Sequence, residues 1–94
     1  MKLLTILSIF LLNSYSYSQE VVTGPFLIRD GITYHQDTNE LVTGIIERFH
    51  NNGELLSRGN YKDGKQDGLL EYFDEDGNLT STETYRNGEL VEEN

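Results

Sequence analysis

Gly44-Ile45-Ile46-Glu47-Arg48-Phe49-His50-Asn51-Asn52-Gly53-Glu54-Leu55 is rewritten 24 residues later as Gly68-Leu69-Leu70-Glu71-Tyr72-Phe73-Asp74-Glu75-Asp76-Gly77-Asn78-Leu79. The correspondence continues, since Ser57, Tyr61 and Gly64 fall on Ser81, Tyr85 and Gly88, giving eight identities in 21 ungapped pairs. A period in the twenties marks a chain built from one supersecondary unit copied and laid beside itself. Each copy reads as a hairpin. A β-prone run (Gly44–Phe49, Leu69–Phe73) meets an Asn-Gly or Asp-Gly step, and a second run (Leu55–Tyr61, Leu79–Tyr85) returns. Both residues of such a step tolerate the positive φ that tight hairpin turns require.

Working outward, Lys62–Asp67 reads as a polar link between the two full units, which span residues 44–67 and 68–91. Asn87-Gly88 turns the chain into a last short segment, Glu89–Val91. Upstream, Phe26-Leu27-Ile28 and Ile32-Thr33-Tyr34 flank Asp30-Gly31, a type I′ turn signal, so residues 26–43 read as a shortened unit with a polar loop over His35–Glu40. Six of the nine glycines directly follow Asp or Asn, which leaves no room for a helix of ten residues. The expectation is an all-β chain, a single-layer antiparallel meander of stacked hairpins over residues 26–94. Alternation sets Leu55, Ser57, Gly59 and Tyr61, and likewise Leu79, Ser81, Glu83 and Tyr85, on one face of the return strands, and Ile45, Glu47 and Phe49, with Leu69, Glu71 and Phe73, on one face of their partners. Phe49 is expected to meet Leu55, and Phe73 to meet Leu79, with the two glutamates interrupting the apolar face. The structural positions of the repeat are Gly44, Phe49, Gly53, Leu55, Tyr61 and Gly64, and their copies Gly68, Phe73, Gly77, Leu79, Tyr85 and Gly88.

Residues 1–18 read as an export signal: Met1-Lys2 is a positive start, Leu3–Leu12 an apolar run, and Ser16 and Ser18 fit small-residue cleavage before Gln19. The apolar run is shorter than the ~20 residues a spanning helix needs, so no membrane span is expected in the mature chain. Residues 19–25 then form a leader, with Val21-Val22-Thr23 as a short edge segment, and the protein is expected in the periplasm or secreted. Without the signal, 6 basic and 16 acidic side chains remain. That balance repels nucleic acid and anionic lipid, whose binding rests on Lys and Arg. It favours a basic protein partner, whose approach it accelerates. With no cysteine, disulfides are absent and sheet packing must carry the fold.

No residue pattern points to catalysis, a metal or another cofactor. His35 and His50 are isolated, and Ser57 and Ser81 recur at one repeat position, whereas an active site is built once. Around Asp74-Glu75-Asp76-Gly77 a calcium loop would need a ligand at Tyr72 and an acid at Glu83, and tyrosine fails as the first ligand. Asn78-Leu79-Thr80 has the glycosylation pattern but lies in a tight turn. The remaining candidates for contact with a partner are Tyr34, Tyr72, Asp74, Glu75 and Asp76. Tyr34, Tyr61 and Tyr85 open connectors at corresponding places and read as contacts between neighbouring hairpins.

The run Gly68–Leu79, with Tyr61-Lys62-Asp63-Gly64-Lys65-Gln66-Asp67-Gly68 before it and Tyr85-Arg86-Asn87-Gly88 after it, resembles the bacterial variant of the MORN repeat found in YwqK-type antitoxin proteins. The resemblance covers about residues 40 to 90 and is looser from Phe26; Leu70 stands where the family usually carries tryptophan. It implies an elongated, twisted sheet of hairpins and a role in neutralising a partner toxin by binding. Antitoxins of that kind work in the cytoplasm, so export turns the expectation toward an immunity-like binder of a toxin or a basic envelope protein. The alternative is a structural or self-associating envelope protein with no toxin partner.

Overall fold

The computed structural model describes residues 20–94, and the export-signal reading of residues 1–18 lies outside them. Seven strands run in chain order: β1 (Phe26–Arg29), β2 (Ile32–His35), β3 (Gly44–Phe49), β4 (Leu55–Lys62), β5 (Lys65–Phe73), β6 (Leu79–Arg86) and β7 (Glu89–Glu93). β1 and β2 form a two-stranded hairpin; β3 to β7 form one antiparallel sheet in sequence order. Substantial strand-to-strand packing runs only between hydrogen-bonded neighbours, so the sheet is a single layer. Among the described residues there is no helix.

Two kinds of turn alternate along the sheet. At Asp30-Gly31, Asp63-Gly64 and Asn87-Gly88 both residues have positive φ, which makes two-residue type I′ turns. At His50–Glu54 and Asp74–Asn78 only the glycine does. There the Gly53 N–H returns to the His50 carbonyl at 3.0 Å, and the Gly77 N–H to Asp74 at 3.1 Å, a type I turn closed by a glycine bulge. The stretch Lys62–Asp67, expected to be a link, is therefore strand on either side of a two-residue turn. Its lysines and acids lie on a solvated strand end, where polarity carries no loop information.

The repeat is a repeat of hydrogen bonds. Gly64 N–H donates to the Val42 carbonyl and Gly88 N–H to that of Gln66, each at 2.8 Å, the second bond being the first moved on by the repeat length. Likewise Asp63 N–H donates to Thr43 Oγ1 at 2.9 Å and Asn87 N–H to Asp67 Oδ1 at 3.0 Å. On the opposite margin His50 Nε2–H donates to the Phe73 carbonyl at 2.9 Å and Asn52 Nδ2 to that of Glu75 at 3.0 Å, tying the first wide turn to the second.

Phe49 pairs with Leu55 and Phe73 with Leu79, as the spacing indicates. A bulge just before each pair, between Arg48 and Phe49 and between Tyr72 and Phe73, resets the register beyond it. Past the bulge Arg48 lies opposite Ser57, Ile46 opposite Gly59 and Gly44 opposite Tyr61. One extra residue moves the whole facing set to the other side of a pleated sheet. The apolar face is thus not the one carrying Phe49 and Phe73. Ile46 and Leu70 are buried, while Phe49 is 57% exposed. Gly59 lies between Ile46 and Leu70 in register, and a Cβ there would stand 2.9 Å from Leu70 Cδ1. The missing side chain is what lets Leu70 close over the strand.

On the opposite face Glu47, Arg58, Glu71 and Thr82 make a row across four strands. Arg58 reaches Glu71 Oε1 at 3.2 Å and Glu47 Oε2 at 3.9 Å, and its guanidinium lies 5.9 Å from the Phe73 ring centre. The glutamates expected to interrupt an apolar face are the two ends of a cross-strand ion ladder. Such partly exposed pairs contribute roughly 0.2–1 kcal/mol each.

The margins differ. Val21 bridges Ile45 in parallel: Ile45 N–H donates to the Glu20 carbonyl at 2.7 Å and Val22 N–H to Ile45 at 2.8 Å, so residues 20–22 lie along the outer edge of β3. The β1–β2 hairpin docks on the Asp63-Gly64 turn, where Thr33 N–H donates to the Gly64 carbonyl at 2.8 Å. Val42, fully buried, donates its N–H to the Thr33 carbonyl at 3.1 Å in the same knot.

Candidate binding surface

The bulges decide which side chains share the face of Ile46 and Leu70. Along β4 to β6 that face presents Ser57 and Tyr61, Leu70 and Tyr72, and Ser81, Glu83 and Tyr85. Ile46, Arg48, Ser57, Tyr61, Leu70 and Tyr72 are among the residues that line a shallow open depression of about 220 Å³. Tyr72 Oη donates to Glu83 Oε1 at 3.2 Å, and Tyr85 Oη donates to the same oxygen at 3.0 Å. Partial burial, and then the neighbouring Glu83 carboxylate, hold both phenols above their ordinary value. They stay protonated donors throughout the neutral range.

The candidate contact residues fall in different places. Tyr72 is on this face. Tyr34 is not equivalent to Tyr61 and Tyr85: those two lie opposite Gly44 and Gly68, whereas Tyr34 sits in β2 opposite Leu27, with the Arg29 guanidinium 4.8 Å from its ring centre. Asp30-Gly31 falls before Tyr34 and Asp63-Gly64 after Tyr61, so the shortened unit is shifted against the full ones. Glu75 and Asp76 are exposed at a turn tip. Asp74 is engaged by the turn itself, its Oδ1 accepting from the N–H groups of Asp76 and Asn78 at 2.9 Å each. His35, read as a loop residue, ends β2 with its ring 5.9 Å from that of Phe26. Sequence reasoning weighed Glu83 only as a calcium ligand and missed its place between two tyrosines. The available signal was that the 24-residue shift sets Glu83 on Gly59, a break in the repeat.

The Asp74 bonds have a measurable consequence. Hydrogen bonds from the backbone, Asn78 first, lower its carboxyl below the ordinary value. A carboxylate lowered on folding stabilises the native state above its unfolded pKa, and that share is lost as pH falls through the folded value. Asp74→Ala should therefore lower the urea midpoint at pH 7, and the gap from wild type should narrow below about pH 4. An unchanged gap at low pH would contradict the role.

A larger polar cleft of about 430 Å³ lies among Lys62, Asp63, Lys65, Asp67 and Asn87 at the type I′ margin. It mixes both signs of charge, and the neighbouring turn N–H groups are used within the sheet. Among the described residues no group of three or more His, Asp or Glu side chains is placed to hold a metal ion.

An open, single-layer sheet of hairpins repeating every 24 residues, with side chains of one face set in register, defines a repeat module. A MORN repeat variant is found twice in it, over residues 42–63 and 66–87. No curated protein and no solved structure matches the chain.

Proposed function

We propose that the chain is an exported, non-catalytic module that binds another protein across its tyrosine face, in an immunity- or antitoxin-like role outside the cytoplasm. The observation carrying this reading is the uncovered row of Tyr61, Tyr72 and Tyr85 around the buried Leu70. Tyrosine combines large area with a polar tip and is favoured where proteins meet. Both MORN-variant units contribute to that row, Tyr61 from the first and Tyr72 and Tyr85 from the second. The chain's net charge of −9 selects for a basic partner and its fast encounter. The resemblance to YwqK-type antitoxins supplies the toxin as the kind of partner.

The test is affinity capture with the purified chain at low and at physiological salt, beside Tyr72→Ala. A basic protein retained by wild type, weakened by salt and lost with Tyr72→Ala is the expected result. No protein retained at low salt, or equal retention by Tyr72→Ala, would contradict the reading. A second reading, self-association, is favoured by two exposed apolar side chains, Phe49 at 57% and Leu79 at 53%. Sedimentation as a monomer at high concentration would remove it.

A further inference from the structure

The repeat departs from itself at two places on the tyrosine face: Tyr72 stands where the first unit has Arg48, which makes no ion pair with Glu83, and a second difference lies beside Leu70. Where the first unit has Gly59, the second has Glu83, beside Leu70 in the same row. Both phenols bond Glu83 Oε1, and among the described residues Oε2 has neither a hydrogen bond nor an ion pair. The two ion pairs of the described residues both belong to Arg58, on the other face. Glu93 on β7 stands directly opposite Glu83, so two like charges face each other across the strands. Such an arrangement is unfavourable unless a cation joins it.

We infer that Glu83, held by Tyr72 and Tyr85, is the receptor on this face for an arginine side chain of a protein partner. The inference rests on the protein-binding reading of the same face and names the chemistry that reading leaves open. A guanidinium offers a rigid planar fork of paired donors to a carboxylate and lies flat on an aromatic ring, whereas an ammonium is a compact, strongly hydrated point charge with no such fork. The phenols fix the carboxylate before the ligand arrives, so less ordering is left to binding. No basic side chain of the described residues satisfies Glu83 from within, and the chain's net negative charge draws a cationic group toward it.

The experiment is a titration of the ¹⁵N-labelled chain with the blocked tripeptide acetyl-Gly-Arg-Gly-amide, beside its lysine counterpart. Saturable shifts at Leu70, Tyr72, Glu83 and Tyr85, with arginine bound more tightly than lysine, are expected. Glu83→Gln should weaken arginine binding by about tenfold, the loss of one charge-assisted pair. Tyr85→Phe keeps the ring and removes one donor, so a smaller loss is expected. Equal binding of both peptides, shifts spread over the acidic turns, or no response to Glu83→Gln would overturn the assignment. If dilution alone moves the same signals, a second copy fills the face and the assignment also falls. A protein partner captured equally by wild type and Glu83→Gln, yet lost with Tyr72→Ala, would retain the protein-binding reading while removing this one.

Discussion

Gly64→Ala is expected to destabilise the chain by about 2–5 kcal/mol, whereas Gly53→Ala, equally at positive φ, should cost only about 1 kcal/mol. Both glycines lie in the left-handed region, at φ 84° and 91°, where an L side chain is strained. Their surroundings separate them. A Cβ at Gly53 meets nothing within 4 Å. At Gly64 it would lie 2.6 Å from Ile32 Cγ2, 2.9 Å from the Thr33 carbonyl oxygen and 3.1 Å from Leu41 Cδ2. Two of those contacts are side chains that can give a little; the third is backbone of the docked hairpin. The β1–β2 hairpin must therefore lift from the turn or the turn must distort. Either way the Thr33-to-Gly64 hydrogen bond and the burial of Val42 suffer. Urea unfolding gives the size of the loss, and amide exchange at Thr33 its location. Similar midpoints for the two alanine variants would mean that the hairpin is not seated on Gly64.

Leu70→Ala is the second large effect, at about 2–4 kcal/mol. The buried apolar side chains of the described residues are Val42, Ile46 and Leu70, so each is a large share of a small core. Leu70 is flanked by Gly59 on β4 and Glu83 on β6, and neither can move inward to fill the space it leaves. Phe49→Ala and Leu79→Ala, at side chains that are themselves more than half exposed, should cost much less. Thermal or urea unfolding of the three variants decides the order. If Phe49→Ala were the most damaging, the apolar face would be the one that plain alternation suggests.

That contrast marks how far the chain could be read without coordinates. Copies 24 residues apart, the Asp-Gly and Asn-Gly turns and the Phe49–Leu55 and Phe73–Leu79 pairs were all legible, because turn chemistry is local. The faces were not. A bulge adds one residue to one strand, here Leu56 in β4 and Thr80 in β6, and nothing in Leu55-Leu56-Ser57 or Leu79-Thr80-Ser81 announces it, yet it reverses every facing residue beyond it. The length of β5 was hidden for another reason: Lys65-Gln66-Asp67 is polar and looks like loop. The carboxylate between the tyrosines was visible only as a mismatch, since finding it needs Tyr72, Glu83 and Tyr85 in register. Residues 20–22, read as a leader or edge segment, pair with β3 in parallel, an orientation that local pattern does not encode.

The sheet register is the physical fact on which both the core and the tyrosine face depend. Nuclear Overhauser contacts of the Leu70 methyl groups test it most directly. Contacts to Gly59 Hα, to Ile46 and to Glu83 are the expected result, with Tyr72 and Tyr85 on the same side. Contacts from Leu70 to Arg58 and Thr82, with the Phe49 and Phe73 rings buried together, would contradict it.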